Sequence, residues 1–287
     1  MLDYLRLLRV SQYSKNLFIF LPAFFAGQIT HTNKLLPSLA ALLGFSLIAS
    51  SMYIINDCID VRYDREHPRK SLRPIASGRV SVKAALTLSA FLLAGGMLVS
   101  LLLGWAAFYI SIAYLAINLA YSGWLKHFPI LDVTVIAVGF NLRLSMGSAV
   151  TGIKLTEWIV VMTFLLAFFL ALAKRRDDVL IYEKTGKLMR KSIDGYNSRF
   201  LDTSLAIMAA IIIVAYLMYS VSPEVTARMG SHKLYLTAVF VVLGVLRYLQ
   251  LTFVEEKSGS PTWVLLNDRF TQINLACWVA AFGLLLY

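Results

Sequence analysis

The chain has 287 residues, 59% of them hydrophobic and only 15% charged, with a net charge of +11. Soluble globular domains carry about 25% charged residues. A soluble domain is therefore excluded, and no nucleic-acid partner is expected. Apolar runs of the roughly 17–25 residues needed to cross a bilayer recur throughout.

In chain order, residues 2–9 (LDYLRLLR) have the pattern of an amphipathic interfacial helix. Residues 1–15 are polar and basic with no small-residue cleavage site, so no cleavable signal peptide is expected. Apolar runs then fall at about 16–32, 36–57, 84–103, 105–121, 131–150, 156–173, 203–221, 233–252 and 267–287. The third and fourth are parted only near Gly104, so eight or nine spans are predicted. The expected fold is an all-α integral membrane protein, with residues 1–287 forming one transmembrane domain. Cys58 and Cys277 are too few and too differently placed to form a metal motif or a disulfide framework.

The positive charge is concentrated. Residues 58–83 hold Arg62, Arg65, Arg69, Lys70, Arg73, Arg79 and Lys83. Residues 174–199 hold Lys174, Arg175, Arg176, Lys184, Lys187, Arg190, Lys191 and Arg199. Such loops stay in the cytoplasm. With nine spans and a cytoplasmic N-terminus, the loops after spans two and six do face inward.

Carboxylates interleave with these bases. Taken as helix, residues 56–64 (NDCIDVRYD) place Asp57, Asp60 and Asp64 within about 60° of one face, and Asn56 widens the arc to about 100°. Unneutralised, the three acids would repel one another at the edge of the membrane. An all-oxygen array suits a hard cation, most simply Mg²⁺, with Mn²⁺ as an alternative. Mg²⁺ bridges carboxylates to substrate phosphates, and the bases from Arg65 to Arg79 supply countercharge for a polyanion. A second cluster, Asp177 and Asp178 in KRRDD, closes span six at the same membrane level. Two such clusters could hold two Mg²⁺ ions against a diphosphate leaving group.

Arg143 sits near the middle of span five, where a charge is costly and marks a functional site by default. Asp132 shares its face, but eleven residues earlier and roughly 16 Å away along the axis. Lys15 and Asn16 open span one, within reach of a phosphate or as an interfacial anchor.

NDCIDVRYD at the end of span two resembles the NDxxDxxxD signature of the UbiA superfamily of intramembrane prenyltransferases. Within it, the branch of decaprenyl-phosphate phosphoribosyltransferases is most similar. The shared features are the KN pair at Lys15–Asn16, HPRKSLRPIASG (67–78), YSGWLKH (121–127) with Asp132, GFNLR (139–143), Lys174–Arg175 with Asp178, and the stretch from Arg190 to Tyr196. Residues 181 and 182 are Ile and Tyr, so Asp177 and Asp178 have no acid four residues on. That sets the chain apart from aromatic prenyltransferases, which carry a second DxxxD-type motif.

The resemblance implies a bundle of about nine helices around a polar cavity facing the cytoplasm, in the inner (plasma) membrane. It implies Mg²⁺-dependent transfer of 5-phosphoribosyl from phosphoribosyl diphosphate to a polyprenyl phosphate. Asn56, Asp57, Asp60 and Asp64 would hold the Mg²⁺–diphosphate. Lys70 and Arg73 would take donor phosphate, and Lys126 and Arg143 diphosphate or donor. Lys174, Arg175 and Asp178 would complete the opposite wall, and Lys15 and Asn16 would meet the lipid phosphate. Two rivals carry different expectations: prenyl transfer to an aromatic or other acceptor, and an ion or anion transporter without chemistry. Transporters often show inverted repeats, and no convincing repeat is present.

Overall fold

The apolar runs become helices in the computed structural model, which describes residues 2–66, 70–186, 191–229, 232–256 and 261–286. His67, Pro68, Arg69, Lys187 and Arg190, all part of the basic motifs above, lie outside the described residues. The helices are α1 (Leu2–Leu8), α2 (Leu21–Phe25), α3 (Thr32–Ile59), α4 (Val61–Glu66), α5 (Val82–Leu102), α6 (Trp105–Gly123) and α7 (Leu131–Thr151). They continue as α8 (Glu157–Thr185), α9 (Ser198–Val221), α10 (Pro223–Met229), α11 (Ala238–Phe253), α12 (Pro261–Asn267) and α13 (Arg269–Leu286). No strand occurs among the described residues.

Seven of these elements are long and apolar enough to cross a membrane: α3, α5, α6, α7, α8, α9 and the stretch Leu234–Phe253 that contains α11. The remaining two predicted spans correspond to the segment Val10–Phe25 and to α13. Local sequence sets the boundaries. Gly104, at φ 122°, breaks the chain between α5 and α6 where two apolar runs nearly merge. Ser81, Thr156 and Asn197 cap α5, α8 and α9 by accepting from the backbone N–H three residues on. α8 outruns its apolar stretch by about three turns and stops at Gly186, which is left-handed.

The chain packs as two compact units. The first comprises Met1–Lys126 with Val138–Leu155, the second His127–Ala137 with Thr156–Tyr287. α7 thus gives its first turns to one and the rest to the other. In the first unit, α3 lies closest against α5. Gly96 has no side chain where the Gly44 carbonyl and Ile48 pass, and Ser51 and Ser89 share a hydrogen bond of 2.8 Å. Small residues let helix backbones approach where lipid supplies no hydrophobic drive between them. The core here is Ile19, Phe45, Ile48, Met52, Tyr114 and Met146. In the second unit, Phe169, Leu172, Leu201, Leu205, Ile212 and Leu251 form the core.

The first span departs from the expected α-helix. Val10–Phe20 is a 3-10 helix of eleven residues, continued by α2. Such runs rarely exceed three or four residues. α7 holds this one closely, because Gly147 leaves room for the Ile19 carbonyl and Pro22, and any Cβ there would overlap that oxygen.

Candidate active site

The signature stretch is nearly one helix. α3 ends at Ile59, Asp60 caps it, and α4 follows, with the Asp60 amide donating to Asn56 O and the Asp64 amide to Asp60 O, both at 2.9 Å. The i to i−4 spacing survives the joint, so the acids keep a common face. Asp57 and Asp64 are buried, at 4% and 3% exposure, and Asp60 is partly open.

Each acid has a basic partner. Arg73, beyond the short 3-10 helix Lys70–Leu72, puts Nη1 2.9 Å from Asp57 Oδ1 and 2.6 Å from Asp64 Oδ2. Lys126 Nζ lies 2.6 Å from Asp60 Oδ1, and Asn56 Nδ2 donates to Asp60 Oδ2 at 3.1 Å. Arg9 Nη2 lies 2.5 Å from Asp57 Oδ1. The bases are more open than the acids they cover, with side-chain exposures of 28% for Arg73 and 25% for Arg9. Lys15 and Lys70 are partly buried in the same unit.

Among the described residues no three His, Cys, Asp or Glu side chains already converge as a metal cluster. The donor set nevertheless fits a hard dication. It consists of oxygens, and one guanidinium nitrogen already gives Asp57 and Asp64 a shared positive charge.

Deeper in the same unit, Arg143 is 5% exposed. Its Nε donates to Asn16 Oδ1 at 2.7 Å, Nη1 to the Gly139 carbonyl at 2.7 Å and Nη2 to the Tyr114 hydroxyl at 3.1 Å. Its guanidinium lies 5.0–5.5 Å from the ring centroids of Phe45, Tyr114 and Phe140. All these partners are neutral, and among the described residues Arg143 forms no ion pair. Asn16, itself buried, is held on its other side by Ser46, so its amide supports Arg143. Tyr53 joins the two clusters along α3: it lies under Arg9, at 5.1 Å, and packs into the core that contains Tyr114.

The second unit carries a different network. Arg175 Nε lies 2.5 Å from Asp132 Oδ2, and its Nη1 3.3 Å from Asp178 Oδ2. The Tyr196 hydroxyl donates to Asp132 Oδ1 at 2.7 Å and accepts from the Ile130 amide at 2.6 Å. Arg175 and Asp132 are 1% and 0% exposed. Burial pushes the Tyr196 phenol well above the usual tyrosine range, and the neighbouring carboxylate adds to the shift, so it stays a neutral donor. Lys174 points to the exposed side of α8.

Residues 16–286 match the family model described as "UbiA prenyltransferase family". The chain belongs to the UbiA prenyltransferase family. It is 29% identical to the decaprenyl-phosphate phosphoribosyltransferase of Corynebacterium glutamicum, over 99% of this chain and 86% of that one. It is 31% identical to the protein of the same name from Mycolicibacterium smegmatis, over 86% of this chain and 79% of that one. A UbiA homologue from Archaeoglobus fulgidus, solved bound to GPP and Mg²⁺, superposes with a TM-score of 0.74, covering 98% of both chains at 22% identity.

Within this UbiA-family chain, the structure brings Asn56, Asp57, Asp60, Asp64, Arg73 and Lys126 together, and Asn16 with Arg143. Arg175 and Asp178 meet each other in the second unit. Sequence reasoning passed over Arg9, whose only signal is a base at the end of an amphipathic stretch. It also left Tyr114, Tyr53 and the Asp132–Tyr196 contact unassigned.

Proposed function

We propose that this UbiA-family chain is a Mg²⁺-dependent enzyme that transfers 5-phosphoribosyl from phosphoribosyl diphosphate to a polyprenyl phosphate. In the reaction the bond from ribose C1 to the diphosphate oxygen breaks. A lipid phosphate oxygen bonds to C1, and diphosphate leaves. The site would face the cytoplasm of the inner (plasma) membrane, on the side where the basic loops stay.

The observation that supports this reading is the presence of two separate basic positions in the first unit. One is the group of exchangeable bases over Asp57, Asp60 and Asp64. The other is Arg143, buried among neutral partners and without an ion pair among the described residues. A donor with a diphosphate and a remote phosphate needs both. Asp57, Asp60 and Asp64 would hold a Mg²⁺ ion, whose charge would stabilise the leaving diphosphate. The chain's own residues do the rest. Asp57, Asp60 and Asp64 fix the donor head, assisted by Asn56. Arg73, Lys70 and Lys126 hold phosphate oxygens and fix the angle of departure. Catalysis is positioning and charge stabilisation at the cationic ribose carbon. Lys15 would meet the lipid phosphate. In the second unit Asp132 pairs with the buried Arg175, a brace and not a binding group. The names of the two bacterial relatives support phosphoribosyl transfer to a polyprenyl phosphate.

Arg143 also favours a second reading, since its ring of Phe45, Tyr114 and Phe140 would accommodate an aromatic acid. Incubation with labelled phosphoribosyl diphosphate and polyprenyl phosphate decides. Label moving into the lipid phase is expected. Turnover only with a prenyl diphosphate and an aromatic acid would transfer the assignment to prenylation, and turnover with neither would leave transport.

A further inference from the structure

The N-terminal helix brings a second guanidinium, and a third base, to the carboxylates. α1 ends at Leu8, and Arg9 follows with φ 50° and ψ 48°, a left-handed conformation uncommon outside glycine. Its surroundings hold it there. Leu7 is buried against Ile54, Ile75, Val80 and Ala85. Ser50 Oγ donates to the Leu8 carbonyl at 2.8 Å and lies 2.9 Å from the Tyr13 hydroxyl. So fixed, the Arg9 side chain crosses the Tyr53 ring and reaches Asp57 Oδ1, the oxygen that also accepts from Arg73. The match to the family model begins at residue 16, so Arg9 lies ahead of it.

We propose that Arg9 is a phosphate-binding residue of the diphosphate site: it covers Asp57 in the ligand-free protein and passes to a diphosphate oxygen when a divalent cation takes the carboxylates. This rests on the reading of that site given above. The charge balance supports it. Asp57, Asp60 and Asp64 face Arg9, Arg73 and Lys126, so the ligand-free group is neutral. A diphosphate ester carrying one Mg²⁺ is still an anion. A group short of one base would be negative and would repel it. Asp57 Oδ1 already accepts from two guanidinium groups, so a cation that takes this oxygen competes with Arg9 for it. The displaced group has a partner at hand in the phosphate that arrives with the cation. Arg9 can make the exchange because its side chain is long, one-quarter exposed and carried across an aromatic face.

The test uses the purified full chain, with Mg²⁺ and inorganic diphosphate as probes, titrated calorimetrically. In Arg9→Gly the diphosphate dissociation constant in the presence of Mg²⁺ should rise about ten- to a hundredfold, the size of one lost charge-assisted hydrogen bond. Mg²⁺ alone should bind at least as tightly as to wild type, because a competing charge has gone. Glycine adopts φ 50° freely, so the ligand-free melting temperature should not fall. Arg9→Lys should recover part of the lost affinity. Equal diphosphate affinity in Arg9→Gly and wild type overturns the proposal and leaves the site reading standing. If the wild type binds no Mg²⁺–diphosphate, both fall. Should Arg9→Gly not fold, Arg9→Gln keeps a donor for Asp57 without the charge. The same loss is then expected, and unchanged affinity overturns the proposal.

Discussion

The two units each hold acids against arginines, yet the pairs differ in what covers them. Over Asp57, Asp60 and Asp64 the bases stand on the open side, with Arg73 and Arg9 about one-quarter exposed and the buried acids beneath. Asp132 and Arg175 are both sealed, and the remaining oxygen of Asp132 is taken by Tyr196. A base that reaches water can leave its acid when a cation and an anion arrive together. A sealed pair cannot exchange without leaving one charge buried, which costs several kcal/mol. The first arrangement suits ligand binding, and the second fixes the start of α7 to α8 and to the segment before α9. By composition the two clusters look alike; solvent access separates them.

The largest expected effect lies in the first unit. Asp57→Asn or Asp60→Asn should cut turnover to less than about a tenth of wild type, a loss of at least about 1.4 kcal/mol in the barrier. The protein should still insert and melt near the wild-type temperature. Excess chelator should abolish turnover in the same way. Full activity in chelator would remove the metal from the reading.

Asp132→Ala reverses that signature. It leaves Arg175, 1% exposed, without its closest acid, and breaking a buried pair costs about 3–5 kcal/mol. A thermal melt in detergent should show the loss directly. If stability holds while turnover collapses, the second network is a binding site as well and the contrast between the units fails.

Much of this was legible before the structure. Hydropathy located the spans, because the bilayer demands length and composition. The acid face followed from the helical period alone, and Gly104 marked the break between α5 and α6. The 3-10 conformation of Val10–Phe20 was not legible, since it arises from close packing against Gly147 and not from composition. Partners distant in sequence were equally hidden. Arg9 meets Asp57 across 48 positions and Arg175 meets Asp132 across 43. Nothing local in KRRDD says which arginine is buried. The cost of placing Arg143 in the membrane was readable, but its neutral partners were not.

A smaller effect sharpens the division of labour among the bases. Lys70→Ala or Arg73→Ala should chiefly raise KM for phosphoribosyl diphosphate, by about ten- to a hundredfold, as for a lost charge-assisted hydrogen bond worth roughly 1.5–3 kcal/mol. KM for the lipid phosphate should change little. Arg73 competes with a cation for two acids, so its loss should not raise the Mg²⁺ concentration needed for half-maximal activity. Membrane insertion is checked first, because positive charge also sets orientation. If lipid binding weakens and donor KM does not move, the two substrates have been placed the wrong way round.

The smallest expected effect tests whether the second network is closed. Tyr196→Phe removes one hydroxyl and keeps the ring that packs in the core. The Ile130 amide loses its acceptor and Asp132 loses a donor, while the Arg175 pair remains. The cost should be about 1–3 kcal/mol of stability, that of a buried group left unsatisfied, with turnover unchanged. Alkaline pH gives an independent check. The folded phenol titrates above its unfolded value of about 10. Its contribution is therefore full below about pH 10 and is lost as the pH rises from there toward the folded value. The wild type should lose that increment on going above pH 10, and Tyr196→Phe should not. Equal losses in both would mean that the phenol is not held neutral by burial. A fall in turnover at unchanged stability would mean that Tyr196 touches substrate, and the second unit would then hold a site and not a sealed brace.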